Sequence, residues 1–390
     1  MPTIERLARL TLAQLAKGFP VLAITGPRQS GKTTLARSAF PEKPYVSMED
    51  PEAQVLAASD PRRFLAGFPD GAVIDEAQRL PQMFSWLQGL VDTRQRRGDF
   101  ILTGSQQFGL MSTISQSLAG RVGLVQLMPL SQTELAAAGL APADADSALR
   151  RGAYPALYDR PLDPDDWFPN YVATYVERDV RQLLAIRDLA LFQRFVKMCA
   201  ARCGQLLNLS SLAMDCGVSH VTAREWLTVL EASYIVRLLP PYHRNFGKRL
   251  VKTPKLYFMD TGLAAWLLGI RDVATMASHA MRGALFENFV VGEFVKQRFN
   301  AGQPTELYFW RDNVGHEIDL LFETSAGLQA VEIKSGMSFA ADWPLAAMRW
   351  KAWAGTEAAT PWIIHGGERS FEAEGYLALS WRTLANPVAA

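Results

Sequence analysis

Gly26, Gly31, Lys32 and Thr33 stand at the spacing G-x-x-x-x-G-K-[ST] in the run Gly26-Pro27-Arg28-Gln29-Ser30-Gly31-Lys32-Thr33. A loop of this pattern binds phosphates. Its glycines let backbone N–H groups turn inward around an anion, and the helix that follows offers the positive end of its dipole. Lys32 brings a mobile positive charge to the outer phosphates, Thr33 is a ligand for Mg²⁺, and Gln29, Ser30 and Thr34 complete the candidate cradle. Asp75 and Glu76 end the apolar run Gly71 to Ile74. Asp75 would hold Mg²⁺ through water, and Glu76 would polarise the water that attacks a γ-phosphate. A second chemical constellation lies near the C-terminus: Glu287, Asp319, Glu332 and Lys334. Asp319 and Glu332, with Glu287 beside them, are suited to bind one or two Mg²⁺ ions against a phosphodiester, with Lys334 orienting water.

These residues need elements to carry them. Val21–Ile24, Gly71–Ile74 and Phe100–Leu102 read as buried strands, each ending in small or polar residues, as parallel strands do where they converge on a ligand. The third run brings Ser105, with Thr103 as second choice, to sense the γ-phosphate. Arg121, in Leu118-Ala119-Gly120-Arg121-Val122, either reaches a neighbour's phosphate or caps a helix. Arg178, in Glu177-Arg178-Asp179, could act on a neighbouring subunit but fits a solvated helix face better. A trans arginine would require a homo-oligomer. Residues 282–299 read as an amphipathic helix bearing Glu287, with Leu285, Phe286, Phe289, Val290 and Phe294 turned inward. Strands over 315–322 and 328–335 carry the other acids. Alternation points Glu332 and Lys334 one way, buries Val331 and Ile333, and puts Glu317 on the face of Asp319.

Between the two constellations, residues 209–219 read as a short helix ending at Gly217. Residues 220–234 read as a longer helix with Val221, Trp226, Val229 and Leu230 on its apolar face, which completes a helix-turn-helix pattern. Two strand patterns follow, near 235–239 and 255–259, as in a β-wing. No acid occurs from Ala232 to Met259, while Arg237, Arg244, Lys248, Arg249, Lys252 and Lys255 are basic. That imbalance is the footprint expected for DNA.

Composition restricts the alternatives. With 390 residues the chain should form two to three domains, and 49% apolar with 20% charged residues fits a folded globular protein. The formal charge of +1 gives no global attraction to nucleic acid or membrane, so such a partner needs a local patch. Three cysteines, Cys199, Cys203 and Cys216, are too few for a disulfide framework and suit a reducing compartment. No run is long enough to span a membrane and the N-terminus is amphipathic, which makes the cytoplasm the default.

Taken together, the GPRQSGKTT loop, VIDEAQ, ILTGSQ, LAGRV, MPLSQTE (128–134) and RGAYP (151–155) resemble the AAA-type ATPases, and more closely a prokaryotic family whose C-terminal part was long a domain of unknown function. Helix Glu, strand Asp and then Glu-x-Lys resembles restriction-endonuclease-like folds of the PD-(D/E)xK type. The resemblance implies a multidomain α/β protein: an AAA-type P-loop ATPase domain (1–160), a helical segment with a winged helix-turn-helix (161–256) and a restriction-endonuclease-like α/β domain (257–390). The function so implied is ATP binding and hydrolysis with Mg²⁺, coupled to DNA binding and Mg²⁺-dependent cleavage. The alternative is a switch ATPase whose C-terminal modules bind DNA or a protein without cutting.

Overall fold

Five strands, β1 (Val21–Thr25), β2 (Tyr45–Ser47), β3 (Ala72–Asp75), β4 (Phe100–Gly104) and β5 (Val122–Gln126), pair in parallel in the order β2-β3-β4-β1-β5. They belong to a computed structural model that describes residues 4–105, 117–176, 188–244, 246–247 and 250–386. β1, β3 and β4 are buried along their whole length because both sheet faces are covered, which is why they read as continuous apolar runs. Successive β1 side chains enter opposite cores. Val21 and Ala23 pack in the core that holds Phe100 and Leu102, whereas Leu22 and Ile24 join Leu35, Ala36 and Ile101.

The phosphate loop leaves the carboxyl end of β1, between its neighbours β4 and β5, and the helix Lys32–Ala39 follows it. This is the switch point at which open parallel sheets bind ligands. Gly26 is required there on two counts: its φ is +145°, and a Cβ would lie 2.1 Å from the Leu127 carbonyl oxygen.

Two compact units divide the chain. The first comprises Met1–Leu130, Ala232–Tyr234 and Arg298–Pro304, and the second the remainder. The ATPase unit therefore closes its main run at Leu130, short of residue 160. Segment 131–160 belongs to the second unit, where the Gln132 N–H donates to Glu293 (2.7 Å) and the Ala153 N–H donates to Asp260 (2.7 Å). No boundary separates 256 from 257 either. Strand β7 (Lys255–Phe258) crosses that point, paired antiparallel with β6 (Val236–Leu239), and its Phe258 backbone is hydrogen-bonded to Asn288 in both directions.

Within the second unit, the helix Leu209–Cys216 ends at Gly217, the glycine stop expected from the sequence, which takes a left-handed φ of +72°, and His220–Ala232 follows. One face assignment differs. Val221 is 64% exposed, whereas Trp226, Val229 and Leu230 are buried as expected, together with Ala223 and Leu227. The helix Arg282–Asn300 precedes a mixed six-stranded sheet ordered β12-β13-β11-β10-β9-β8, formed by β8 (Tyr308–Arg311), β9 (Glu317–Thr324), β10 (Gly327–Lys334), β11 (Trp362–His365), β12 (Phe371–Ala373) and β13 (Tyr376–Ser380). The three cysteines are buried free thiols. Among the described residues, no helix is long and apolar enough to cross a membrane.

Candidate functional site

The loop from Gly26 to Thr33 is built by backbone conformations that few residues tolerate: Gly26, Gln29 and Gly31 all have positive φ. Its carbonyls face Lys32, whose ammonium donates to the oxygens of Gly26 (3.1 Å) and Pro27 (2.8 Å). Arg6, which the sequence reading passed over, braces the loop from outside by donating to the carbonyls of Ser30 (2.6 Å) and Met128 (2.7 Å). The Ser30 hydroxyl is buried with no hydrogen-bond partner among the described residues. A buried hydroxyl left orphaned in a loop of this pattern is what a phosphate oxygen would satisfy, so these residues fit the phosphates of ATP. Thr34, in contrast, is exposed on the following helix, and Gln29 is exposed on the loop.

Asp75 gathers hydroxyls. It accepts from Thr33 (2.9 Å), from Tyr45 (2.9 Å) and from Thr103. Thr33 and Asp75 are thus adjacent, as a pair holding the Mg²⁺ of bound ATP must be, and that ion would offset charge on the β- and γ-phosphates. Tyr45 was not singled out from the sequence, since its strand is short. Its burial, and then the Asp75 charge, push its hydroxyl up to about 12. Glu76 sits one residue beyond β3 in a left-handed conformation (φ +52°), which is costly for a side chain with a Cβ and characteristic of functional positions. Its carboxylate accepts from Gln78 (2.5 Å) and from Ser105 (3.2 Å). The structure therefore unites Lys32, Thr33, Asp75, Glu76, Thr103 and Ser105.

Arg121 lies elsewhere. Its carbonyl accepts from the N–H of Val21, the first residue of β1, so it stands at the sheet end opposite the loop. Its guanidinium is paired with Asp92 (2.6 and 2.8 Å). The β1 register thus keeps it from its own nucleotide. Arg178, Gln106 and Gln107 lie outside the described residues, as do Lys248 and Arg249.

In the second unit, Glu287, Asp319, Glu332 and Lys334 do approach one another, but with a residue that the sequence reading had assigned to DNA. Lys255, only 2% exposed, directs its ammonium at Glu287 (2.8 Å), Glu317 and Asp319 (3.8 Å). Burial alone would lower its pKa, yet the carboxylates of Glu287, Asp319 and Glu317 outweigh that and raise it, so the ammonium stays charged. Tyr257, two residues along β7 and on the same face, also donates to Glu287 (2.5 Å). Asp319 accepts from the Ile333 N–H (2.8 Å), and Lys334 donates to one oxygen of Glu332 (2.6 Å). Among the described residues, no three His, Cys, Asp or Glu groups are arranged to hold a metal. Where Mg²⁺ was expected on Asp319 and Glu332, with Glu287 beside them, the Lys255 ammonium is paired with Glu287 and lies near Asp319, and that of Lys334 is paired with Glu332, so the residues as arranged do not fit the ion.

Two more of the described basic residues have partners within the unit. Arg237 donates to Thr305 and Arg244 pairs with Glu357 at the surface, so Arg244 and Lys252 are both exposed. Glu332 departs from expectation too: it is 5% exposed, as buried as its alternating neighbours, because helix Leu345–Ala354 covers that end of the sheet.

Burial, and then the nearby Asp319 charge, raise the Glu332 carboxyl to about 8 against the pull of Lys334. Burial and Asp319 likewise bring Glu287 to about 7 against the pull of Lys255 and Tyr257. Both groups bind protons more tightly when folded, so the native state holds more protons than the unfolded chain from about pH 4.5 up to about 8. The contribution of these two groups to stability falls as pH rises through that window. Urea melts should therefore show a lower midpoint at pH 8 than at pH 5, and Glu332→Gln should flatten the difference. An unchanged slope in that variant would assign the effect to other groups.

A parallel sheet with a phosphate loop at its switch point, and an Asp-Glu pair at the end of β3 with one strand between it and β1, defines a P-loop ATPase of the AAA type. Residues 18–136 match the family model of the AAA domain, and residues 142–274 and 282–384 match two domains of unknown function, DUF8612 and DUF4143. Two proteins described as uncharacterized, Rv2008c of Mycobacterium tuberculosis and Mb2031c of Mycobacterium bovis, are each 36% identical to the chain over 335 residues, covering 85% of it and 74% of the relative. The chain belongs to the family of AAA-type ATPases that contains these mycobacterial proteins. Among solved structures, the Walker-type ATPase PABY2304 of Pyrococcus abyssi is similar at 14% identity, with a TM-score of 0.46 over 68% of this chain and 96% of its own. The RuvB Holliday junction branch migration motor of Thermotoga maritima is similar at 20% identity, with a TM-score of 0.31 over 60% of this chain and 89% of its own.

Proposed function

We propose that this ATPase is a switch whose second unit binds DNA and, in the conformation described, does not cut it. The observation that carries this reading is Lys255, whose ammonium lies among Glu287, Glu317 and Asp319 and so brings a positive charge to Asp319, one of the two carboxylates expected to hold Mg²⁺ in a metal-dependent nuclease. Support for DNA comes from the helix-turn-helix order followed by a strand pair. The first two turns of its second helix leave His220, Val221, Arg224 and Glu225 exposed, as a helix entering a major groove would require. The restriction-endonuclease-like order of Glu287, Asp319, Glu332 and Lys334 supports a module that evolved against phosphodiesters.

Metal-dependent cleavage is the second reading, favoured by one atom: the Glu332 oxygen not bonded to Lys334 is buried and unpartnered. One assay separates the two. The full chain, with Mg²⁺ or Mn²⁺ and with or without ATP, is incubated with plasmid, linear duplex and four-way-junction DNA. The expected result is a mobility shift that weakens steeply as salt rises, with every strand intact. Cleavage that Lys334→Ala abolishes would establish the second reading, and intact ATP turnover with neither shift nor cleavage would remove DNA from the account.

A further inference from the structure

Beside the carboxylate centre, a cavity of about 390 Å³ opens between helix Leu345–Ala354 and the sheet edge, within the size range of ligand pockets. Its walls are aromatic. Trp310, from β8, and Trp353, from the helix, stand with ring centroids 5.7 Å apart, and the His316 ring meets Trp353 at 5.0 Å. Two polar atoms of lining residues are buried without a hydrogen-bond partner among the described residues: the free carboxylate oxygen of Glu332 and the indole N–H of Trp350. Native interiors rarely leave such atoms unmet, and two on residues that line one cavity point to a ligand that reaches them once the lining adjusts around it. One accepts and the other donates.

We propose that this cavity receives a single unstacked nucleobase. A base is planar, so the aromatic walls can hold its face, and its edge carries both donors and acceptors, so it can answer Trp350 and Glu332 together. An organic cation would suit the carboxylate but leave the Trp350 N–H unmet. The other carboxylates of the lining do not change this balance. Glu317 is already paired with Arg311 (2.6 Å) and Lys255, and Asp342 lies on the exposed rim. Arg349 shares that rim, is exposed, and has no ion-pair or hydrogen-bond partner among the described residues. It would meet the phosphate attached to the base. The inference deepens the DNA reading above by making the strand end, a frayed pair or a flipped nucleotide the preferred substrate, and it depends on that reading for its source of bases.

The full chain is titrated into a short single-stranded DNA carrying one 2-aminopurine, with emission and anisotropy read together. Stacking should quench the emission several-fold. Trp353→Ala should remove the quenching and weaken binding about tenfold, while Trp353→Phe retains both; thermal melts of each variant check folding. Cytidine, which has no phosphate for the P-loop, should compete, and Arg349→Ala should weaken the strand but leave cytidine unaffected. Anisotropy that reports binding without quenching would overturn the pocket and leave the DNA reading standing. Saturable quenching of tryptophan by cytidine, with no strand binding, would leave the pocket standing and overturn the DNA reading. Binding of tetramethylammonium in place of cytidine would overturn the nucleobase as occupant.

Discussion

Glu76→Gln is expected to bind ATP as the parent protein does and to turn it over at least about a hundredfold more slowly, the loss typical when a positioned general base is removed. The phosphate cradle from Gly26 to Thr33 is untouched by the change, and Thr33 stays on Asp75. What disappears is the carboxylate that accepts from Gln78 and Ser105. Those two donors hold the group at the carboxyl end of β3, and the left-handed φ of Glu76 turns it out of line with that strand. An amide keeps the shape but cannot take a proton from water. Fluorescent-nucleotide binding and phosphate release, measured on one preparation, check both halves. Normal turnover by the variant would mean that another carboxylate activates the water, with Asp75 the nearest candidate.

Lys255→Met is expected to cost about 3–5 kcal/mol of stability, the range found when one partner of a buried ion pair is removed. The loss arises from what remains: Glu287, Glu317 and Asp319 keep their positions with no internal cation. Combining Lys255→Met with Glu287→Gln should restore part of the stability, since the double variant buries one charge fewer. Denaturant melts of the two single variants and the double variant test this, and strict additivity would count against the centre acting as a unit. The same variants address the function. If Lys255 stands where a divalent ion could sit, Mg²⁺ should raise the melting temperature of Lys255→Met more than that of the parent, because it binds only the folded form. Equal responses would mean that the centre is a structural ion cluster alone.

The ATP site was legible because its geometry is local. Gly26 to Thr33 is one contiguous segment in which the backbone does most of the binding, and glycine marks the positions where no other residue fits. Asp75, Glu76 and Ser105 end strands whose uninterrupted apolar character already implies a sheet covered on both faces. Thr103 and Tyr45 reach Asp75 from neighbouring strands, and only the register reveals which hydroxyls lie alongside it.

Sequence alone thus determined the phosphate loop, the acidic pair, the strand order of chemistry in the C-terminal part and the helix–glycine–helix turn at Gly217, all features carried by a few adjacent residues or by a simple period. Tertiary structure decided what the charges do. A run of basic residues without acids reads as a surface for DNA, but a charge takes its meaning from its surroundings, and those come from segments remote in the chain. Lys255 meets Glu287 across 32 positions and is buried, Arg244 meets Glu357 across 113, and Arg121 is carried by the β1–β5 register to the sheet end away from the nucleotide loop. The same long-range packing joined segment 131–160 to the second unit and closed the helix Leu345–Ala354, with its Trp350 and Trp353, over Glu332 and Trp310. No periodicity announces such pairings, because side-chain burial is set by which elements cover one another.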